Sequence, residues 1–248
     1  MSGHSKWSTI KRQKGAADAK RGQLFTKLAR EITVAAREGV PEIEANARLR
    51  IAVQKARAEN MPKDNIDRAI ERAKGGAGGE SLDEISYEGY GPGGIAFMIQ
   101  AMTDNRNRTV GEVRAAFTRA GGTLGSDGAV AWMFDNVGQI VMHPAKLDPD
   151  EAALIAIDAG ATEFEVEDDA VIVFTDPQDL HRVQEQLAEA GMEIESSELI
   201  MKPKDPVTPE TDVAVKVIRL VERLEDLDDV QTVYTNLNLT DDVLAQVS

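Results

Sequence analysis

Between Gln139 and Ile200 the hydropathy period switches in an order that few folds accept. Gln139–Met142, Thr162–Glu167, Val171–Phe174 and Glu193–Ile200 read as strands, and Asp150–Ala159 and Gln178–Ala190 repeat at helical spacing. Asp168-Asp169 marks a turn between the middle two strands. The order β-α-β-β-α-β is that of a ferredoxin-like domain, and its two halves read as a weak internal repeat.

Incomplete pieces flank this unit. Ile95–Thr103 predicts a buried strand, Thr109–Ala120 a helix, Gly121–Gly128 a loop and Val130–Asn136 another strand. That is β-α-β without a closing α-β. The missing pair follows the linker Lys202-Pro-Lys-Asp-Pro: a helix over about Pro209–Leu227 and a strand over Val230–Asn236. Val213, Val217, Leu220, Val221 and Leu224 form the apolar face of that helix. The simplest arrangement is a discontinuous α+β domain, 79–137 plus 203–248, with an inserted ferredoxin-like domain at 138–202.

The region before it, 1–78, is different. The first 20 residues have no apolar period and predict a polar, basic arm. Leu24, Phe25, Leu28, Ile32 and Ala35 then define a helix beginning near Arg21. Gly39 stops it and Pro41 opens a second helix, about 42–59, with Ala45, Leu49, Ala52, Val53 and Ala56 inward. A third follows Pro62 on Ile66, Ala69, Ile70 and Ala73, and Gly75-Gly-Ala-Gly-Gly79 ends it as a flexible linker. Three short helices with one apolar face each make a small bundle. The predicted fold class is therefore multidomain α and α+β: a helical bundle, then two α+β, ferredoxin-like domains, one inserted in the other.

Charge divides the chain along the same lines. The 248 residues carry a net charge of −15. An even spread of that charge would repel nucleic acid. Residues 1–74, however, hold 17 Lys and Arg against nine Asp and Glu, a net +8 that leaves −23 for the rest. Residues 147–199 hold 16 acids against Arg182 alone. A basic module on an acidic body can approach a polyanion only with its N-terminal end leading.

Lys6, Lys11, Arg12, Lys14, Lys20, Arg21, Lys27 and Arg30 are eight cations in thirty residues, with Asp18 the only acid. Such segments bind phosphate backbones by releasing condensed counterions. Trp7 within them can stack on an exposed base or serve as a packing anchor. A second candidate is Thr103-Asp-Asn-Arg-Asn-Arg-Thr109, at a strand-to-helix junction where backbone N–H groups are free. Arg106 and Arg108 there suit a phosphate, or equally ion pairs with the acidic body beside an Asp or Asn helix cap. Gly89-Tyr-Gly-Pro-Gly-Gly94 matches G-x-G-x-x-G only formally. A strand rather than a helix follows it, and Pro92 removes an N–H, so it predicts a turn and no dinucleotide cofactor.

No other chemistry is predicted. The chain has no Cys, which excludes disulfides, thiolate catalysis and Cys-ligated metal. His4, His143 and His181 have no metal spacing, and no catalytic triad can be singled out. The expectation is a non-enzymatic protein without metal, cofactor or small-molecule substrate. No apolar run reaches the ~20 residues of a membrane span, no signal peptide is visible and Ser2 follows Met1, so no membrane partner and a cytoplasmic location are expected.

Several motifs coincide with one family. Gly3-His-Ser-Lys-Trp7, Ile10-Lys11, Asp18-Ala-Lys-Arg-Gly22, Phe25-Thr-Lys-Leu28, Asn60-Met-Pro-Lys-Asp-Asn-Ile66, Arg68-Ala-Ile70, Tyr87-Glu-Gly-Tyr-Gly-Pro92, Thr103-Asp-Asn-Arg106 and Val130-Ala-Trp-Met-Phe134 resemble the YebC/PmpR family over essentially the whole chain. Ala45-Asn-Ala-Arg-Leu49 departs from a Pro-containing form of that segment. The resemblance implies three domains and a bacterial cytoplasmic protein, a probable DNA-binding transcriptional regulator. It also implies kinship with mitochondrial translational activators of a cytochrome oxidase subunit, and with ribosome-associated factors that ease elongation through proline-rich stretches. It supplies no catalytic residue. The partner expected first is DNA, next ribosomal RNA on the ribosome, and third a protein docking on the acidic domain.

Overall fold

The computed structural model describes residues 18–74, 82–143, 147–167, 170–240 and 243, with side chains from Arg21 onward. The arm cations Lys6, Lys11, Arg12 and Lys14, with Trp7, lie outside the described residues, as do the 75–79 linker and the Asp168-Asp169 turn. The chain divides into two compact units, one Met133–Asp205 and the other the residues up to Trp132 together with those from Pro206.

The larger unit begins with three helices, α1 (Asp18–Glu38), α2 (Ala47–Ala58) and α3 (Lys63–Lys74). Leu28, Ile32, Ala35, Leu49, Val53, Ala56, Ile66 and Ile70 bury their apolar stripes against one another. The second helix starts later than Pro41 suggests. Glu42–Ala45 forms a turn, and Ala45 is exposed rather than inward. Asn46 caps α2 by accepting from the Leu49 N–H at 3.0 Å, while its amide donates to the Ala35 and Val40 carbonyls at 2.7 and 2.9 Å. A buried side chain that satisfies three backbone groups fixes the start of the helix more firmly than a proline six residues earlier.

After residue 82 come β1 (Asp83–Tyr90), β2 (Ala96–Thr103), α4 (Arg106–Ala120) and the short β3 (Thr123–Leu124). The antiparallel sheet has the order β3-β1-β2-β8. Its last strand comes from the far end of the chain, after the smaller unit. β1 is not among the strands expected from the sequence, although Glu84, Ser86 and Glu88 alternate with Ile85 and Tyr87 as in a strand with one apolar face. The Gly-rich segment is the hairpin turn between β1 and β2, where the Gly91 N–H donates to the Ile95 carbonyl at 2.8 Å. Gly93 there has φ +69°, and a Cβ on it would sit 2.6 Å from Val213 Cγ1.

The smaller unit carries β4 (Phe134–His143), α5 (Pro149–Asp158), β5 (Glu163–Val166), β6 (Val171–Thr175), α6 (Leu180–Glu189) and β7 (Glu193–Pro203). The sheet order is β5-β6-β4-β7, all antiparallel, which is the ferredoxin-like arrangement. Here the structure corrects one expectation. Val130–Asn136 is not a strand of the outer domain. Ala131–Met133 is a 3-10 turn, and β4 runs unbroken from Phe134 through the segment expected to start at Gln139. Gly138 looks like a break in sequence. It is instead a close approach, because a Cβ there would collide with Thr175 Oγ1 and Leu180.

The chain then returns with α7 (Thr211–Glu225) and β8 (Val230–Thr235), closing the first sheet. Ile95, Phe97 and Ile99 of the hairpin and β2 pack against Val113 and Phe117 of α4 and against Val217, Leu220 and Leu224 of α7. Phe97 and Phe117 meet edge to face with centroids 5.4 Å apart. Among the described residues no helix is long and apolar enough to cross a membrane.

Candidate nucleic-acid interface

The cations of α1 that the structure describes divide into distinct groups. Arg21 is exposed. Lys27 and Arg30 face the turn between α7 and β8. Lys27 Nζ donates to the Glu225 carbonyl at 2.5 Å, and Gln23 Nε2 to that of Asp226 at 3.3 Å. Arg30 donates to the Asp228 carbonyl and lies 3.0 Å from Asp229 Oδ1. At 100° per residue Lys20, Lys27, Arg30 and Arg37 fall opposite the Leu24–Ala35 stripe, so the sequence reads as an outward cationic face; Lys27 and Arg30 of that face instead join the bundle to the body.

Asp229 is the centre of that joint. It is 2% exposed and accepts from Arg108 Nη2 at 2.7 Å, Thr109 Oγ1 at 2.7 Å and Thr103 Oγ1 at 3.1 Å. Burial alone would raise its pKa. The hydrogen bonds from Arg108, Thr109 and Thr103, with the nearby charge of Arg30, outweigh burial and hold it below the usual carboxylate value. The Arg108 guanidinium is stabilised in turn by Asp229 and by Asp104 at 2.6 Å. Arg106 pairs with Asp83 at 2.8 Å, and Asn105 caps α4 by accepting from the Arg108 N–H at 3.1 Å. Both candidate arginines of the strand-to-helix junction thus have carboxylate partners in their own unit.

Other cations lie outward. Arg48 pairs with Glu38 and Glu84, and Lys55 with Glu31 at 3.4 Å. Arg57, Lys63 and Arg72 are exposed on α2 and α3 and have no ion pair among the described residues. The same holds for Arg114 and Arg119 on α4 and for Arg219 and Arg223 on α7. Arg119 and Arg223 flank a shallow apolar cleft with Ala115, Ala116 and Leu227. The α7 arginines were missed in sequence, although Arg219 stands away from its apolar stripe and Arg223 flanks it, so a face count would have found them.

One aromatic also went unnoticed. Trp132 is 65% exposed. Its Nε1 donates to the Ala129 carbonyl at 3.1 Å. The loop that carries it is tied to Glu88, a buried carboxylate on β1 that accepts from the Gly128, Val130 and Ala131 N–H groups at 2.7, 2.6 and 2.8 Å. Burial opposes ionisation of Glu88, but the three N–H groups prevail and lower its pKa.

Comparison with known proteins gives this arrangement a lineage. Residues 5–76 match the TACO1/YebC protein N-terminal domain, and residues 82–237 match the TACO1/YebC second and third domain. A Roseiflexus castenholzii protein named probable transcriptional regulatory protein is 55% identical, with 99% of this chain and 98% of that one covered. One of the same name from Thermomicrobium roseum is 54% identical over the full length of both. The crystal structure of a conserved hypothetical protein from Aquifex aeolicus superposes with a TM-score of 0.82 at 43% identity, covering 90% of this chain and 93% of that one. With both family patterns matched and relatives aligned end to end, the chain belongs to the TACO1/YebC family.

Proposed function

We propose that this chain is a non-enzymatic nucleic-acid-binding regulator of gene expression, acting first as a DNA-binding transcriptional regulator. The observation that carries the reading is charge segregation: a net +8 over residues 1–74 in a chain of net −15. The names of the full-length relatives support the regulatory role. The proposed primary contact is the arm and the start of α1, with Lys6, Trp7, Lys11, Arg12, Lys14, Lys20 and Arg21. Arg57, Lys63 and Arg72 extend it. Lys27, Arg30, Arg106 and Arg108 belong to the proposed site at the cost of exchanging a carboxylate or carbonyl partner for a phosphate.

A second reading, a translation factor on ribosomal RNA, is favoured by the composition of α3. Its Lys63, Arg68, Arg72 and Lys74 are interleaved with Asp64, Asp67 and Glu71, which suits no base-reading helix in a major groove. Cations scattered over several elements suit contact with phosphates and RNA shape. The deciding experiment is sedimentation of cell lysate on a gradient with and without nuclease, beside binding to duplexes of varied sequence. Sequence preference on duplex DNA supports the transcriptional reading. Nuclease-sensitive migration with ribosomal subunits, with sequence-indifferent DNA binding, overturns it.

A further inference from the structure

The smaller unit has an open sheet edge of distinctive composition. Among the described residues β5 is bonded to β6 alone. It reads Glu163-Phe164-Glu165-Val166, with Glu167 following. Phe164 and Val166 stand opposite Val173 and Val171, whose side chains lie in the core beneath the helices. Both therefore sit on the helix-covered face, yet they are 38% and 44% exposed.

Helix α5 widens this apolar strip. Ala152, Ala153 and Ala156 bury its inner face, and Ile155 packs into the same core. Ile157 lies about 200° round the helix from Ile155, on the opposite flank, and is 41% exposed. Because α5 packs on β5 and β6 while α6 packs on β4 and β7, the flank of α5 away from α6 is the one above β5. Leu154, further round, is 65% exposed. Ile157, Phe164 and Val166 thus make an apolar ledge along the sheet edge, while Leu154 points away from the sheet.

The backbone of that edge is available too. The Glu167 N–H donates to the Ala170 carbonyl at 2.9 Å, which fixes the alternation of the antiparallel ladder. Glu163, Glu165 and Glu167 direct their N–H and C=O groups at β6, and Phe164 and Val166 direct theirs outward. Around the edge lies a segment with 16 acids and one arginine between residues 147 and 199. A second copy of the same edge is a poor occupant, because pairing would set glutamates opposite glutamates.

We propose that the β5 edge takes up an extended segment of a partner protein, with alternating basic and apolar residues, as a fifth strand of this sheet. Outward N–H and C=O groups at Phe164 and Val166 supply main-chain bonds, and the ledge takes the apolar side chains. Glu163 already pairs with Lys202 at 2.7 Å, so Glu165, whose Oε2 has no hydrogen-bond partner among the described residues, is the carboxylate that takes a cation of the segment. The inference is independent of whether the basic module binds DNA or RNA.

The test uses a short labelled peptide of alternating Lys and Val, titrated with the full chain and followed by fluorescence anisotropy. Saturable binding is expected. It weakens about tenfold when Ser replaces Val in the peptide or in a Phe164→Ser protein. Val166→Pro removes one outward N–H without touching the β6 ladder, and weakens binding about fivefold. The same peptide N-methylated at alternate residues, tried on the unaltered chain, loses binding without any question of folding. No saturable binding overturns the proposal. Equal binding of the Lys-Ser peptide reduces the site to general acidity and overturns it as well. Undiminished binding of both N-methylated registers overturns strand addition.

Discussion

Arg108 and Asp229 meet at 2.7 Å beside the turn between α7 and β8, with the carboxylate 2% exposed and the guanidinium half open. Because Arg30 reaches the same carboxylate from α1, one residue ties the basic bundle to the body. Two arginines that the sequence offers to phosphate are therefore held by an internal anion. A phosphate competing for either must displace a well-placed carboxylate, so these positions contribute to architecture before they contribute to binding.

Replacing Asp229 with Asn tests that ranking. The variant leaves Arg108, Arg30 and two buried threonine hydroxyls without their anionic acceptor. A loss of about 2 kcal/mol is expected, or roughly 4–8 °C in Tm for a chain of this size. The pH dependence has a definite sign. A carboxyl whose folded pKa is depressed adds stability above its unfolded pKa of about 3.9, and that contribution is lost as pH falls toward the folded value. The gap in Tm between the parent and Asp229→Asn should be full at neutral pH and close on acidification. A gap independent of pH would show that geometry rather than charge is what Asp229 supplies.

Glu88→Gln loosens the Trp132 loop. Gln keeps one acceptor oxygen where the carboxylate served three N–H groups, so at least one is orphaned. Amide exchange at Gly128, Val130 and Ala131 should accelerate, at a stability cost of about 1–2 kcal/mol. Exchange unchanged at all three amides would refute the anchoring role.

The hairpin glycines make an ordered pair. Gly94→Ala meets open space and carries only the cost of a left-handed backbone, about 1 kcal/mol. Gly93→Ala carries that cost and also drives a methyl into Val213, for a total of about 2–4 kcal/mol. Denaturant midpoints should rank the parent above Gly94→Ala above Gly93→Ala. Val213→Ala should recover part of the last deficit in a double-mutant cycle.

Cation removal separates binding from architecture. Ala at Lys11, Arg12 and Lys14 should weaken binding to any nucleic acid and flatten log K against log[salt] by about 0.9 per cation, roughly two to three in all. Ala at Arg30 should also lower Tm, and should flatten the slope by less than about 0.9, because a phosphate there replaces Asp229 rather than condensed counterions. An unchanged slope in the triple variant would remove the arm as the contact.

What the sequence determined by itself was everything carried by local periodicity and summed charge. Helical stripes such as Ile66, Ala69 and Ile70, the strand–helix alternation of residues 139–200, and the opposition of a +8 segment to an acidic remainder all survive without knowing what packs on what. The extents of individual elements were less legible. Asn46 and Asn105 start helices by capping, and Gly138 continues a strand because Leu180 and Thr175 leave no room for a side chain. The Gly138 contacts are with neighbours distant in sequence, whereas each cap is made with an N–H only three residues on.

Only the tertiary structure decided which charges are available. Lys27 and Arg30 read as one face with their helical neighbours, yet folding brings residues 225–229 against them from nearly two hundred positions away. It likewise turned acids interleaved with Phe164 and Val166 into one side of an open sheet edge. A side chain's charge is written in the sequence. Whether that charge is spent on an internal partner depends on long-range pairing, which local pattern does not encode.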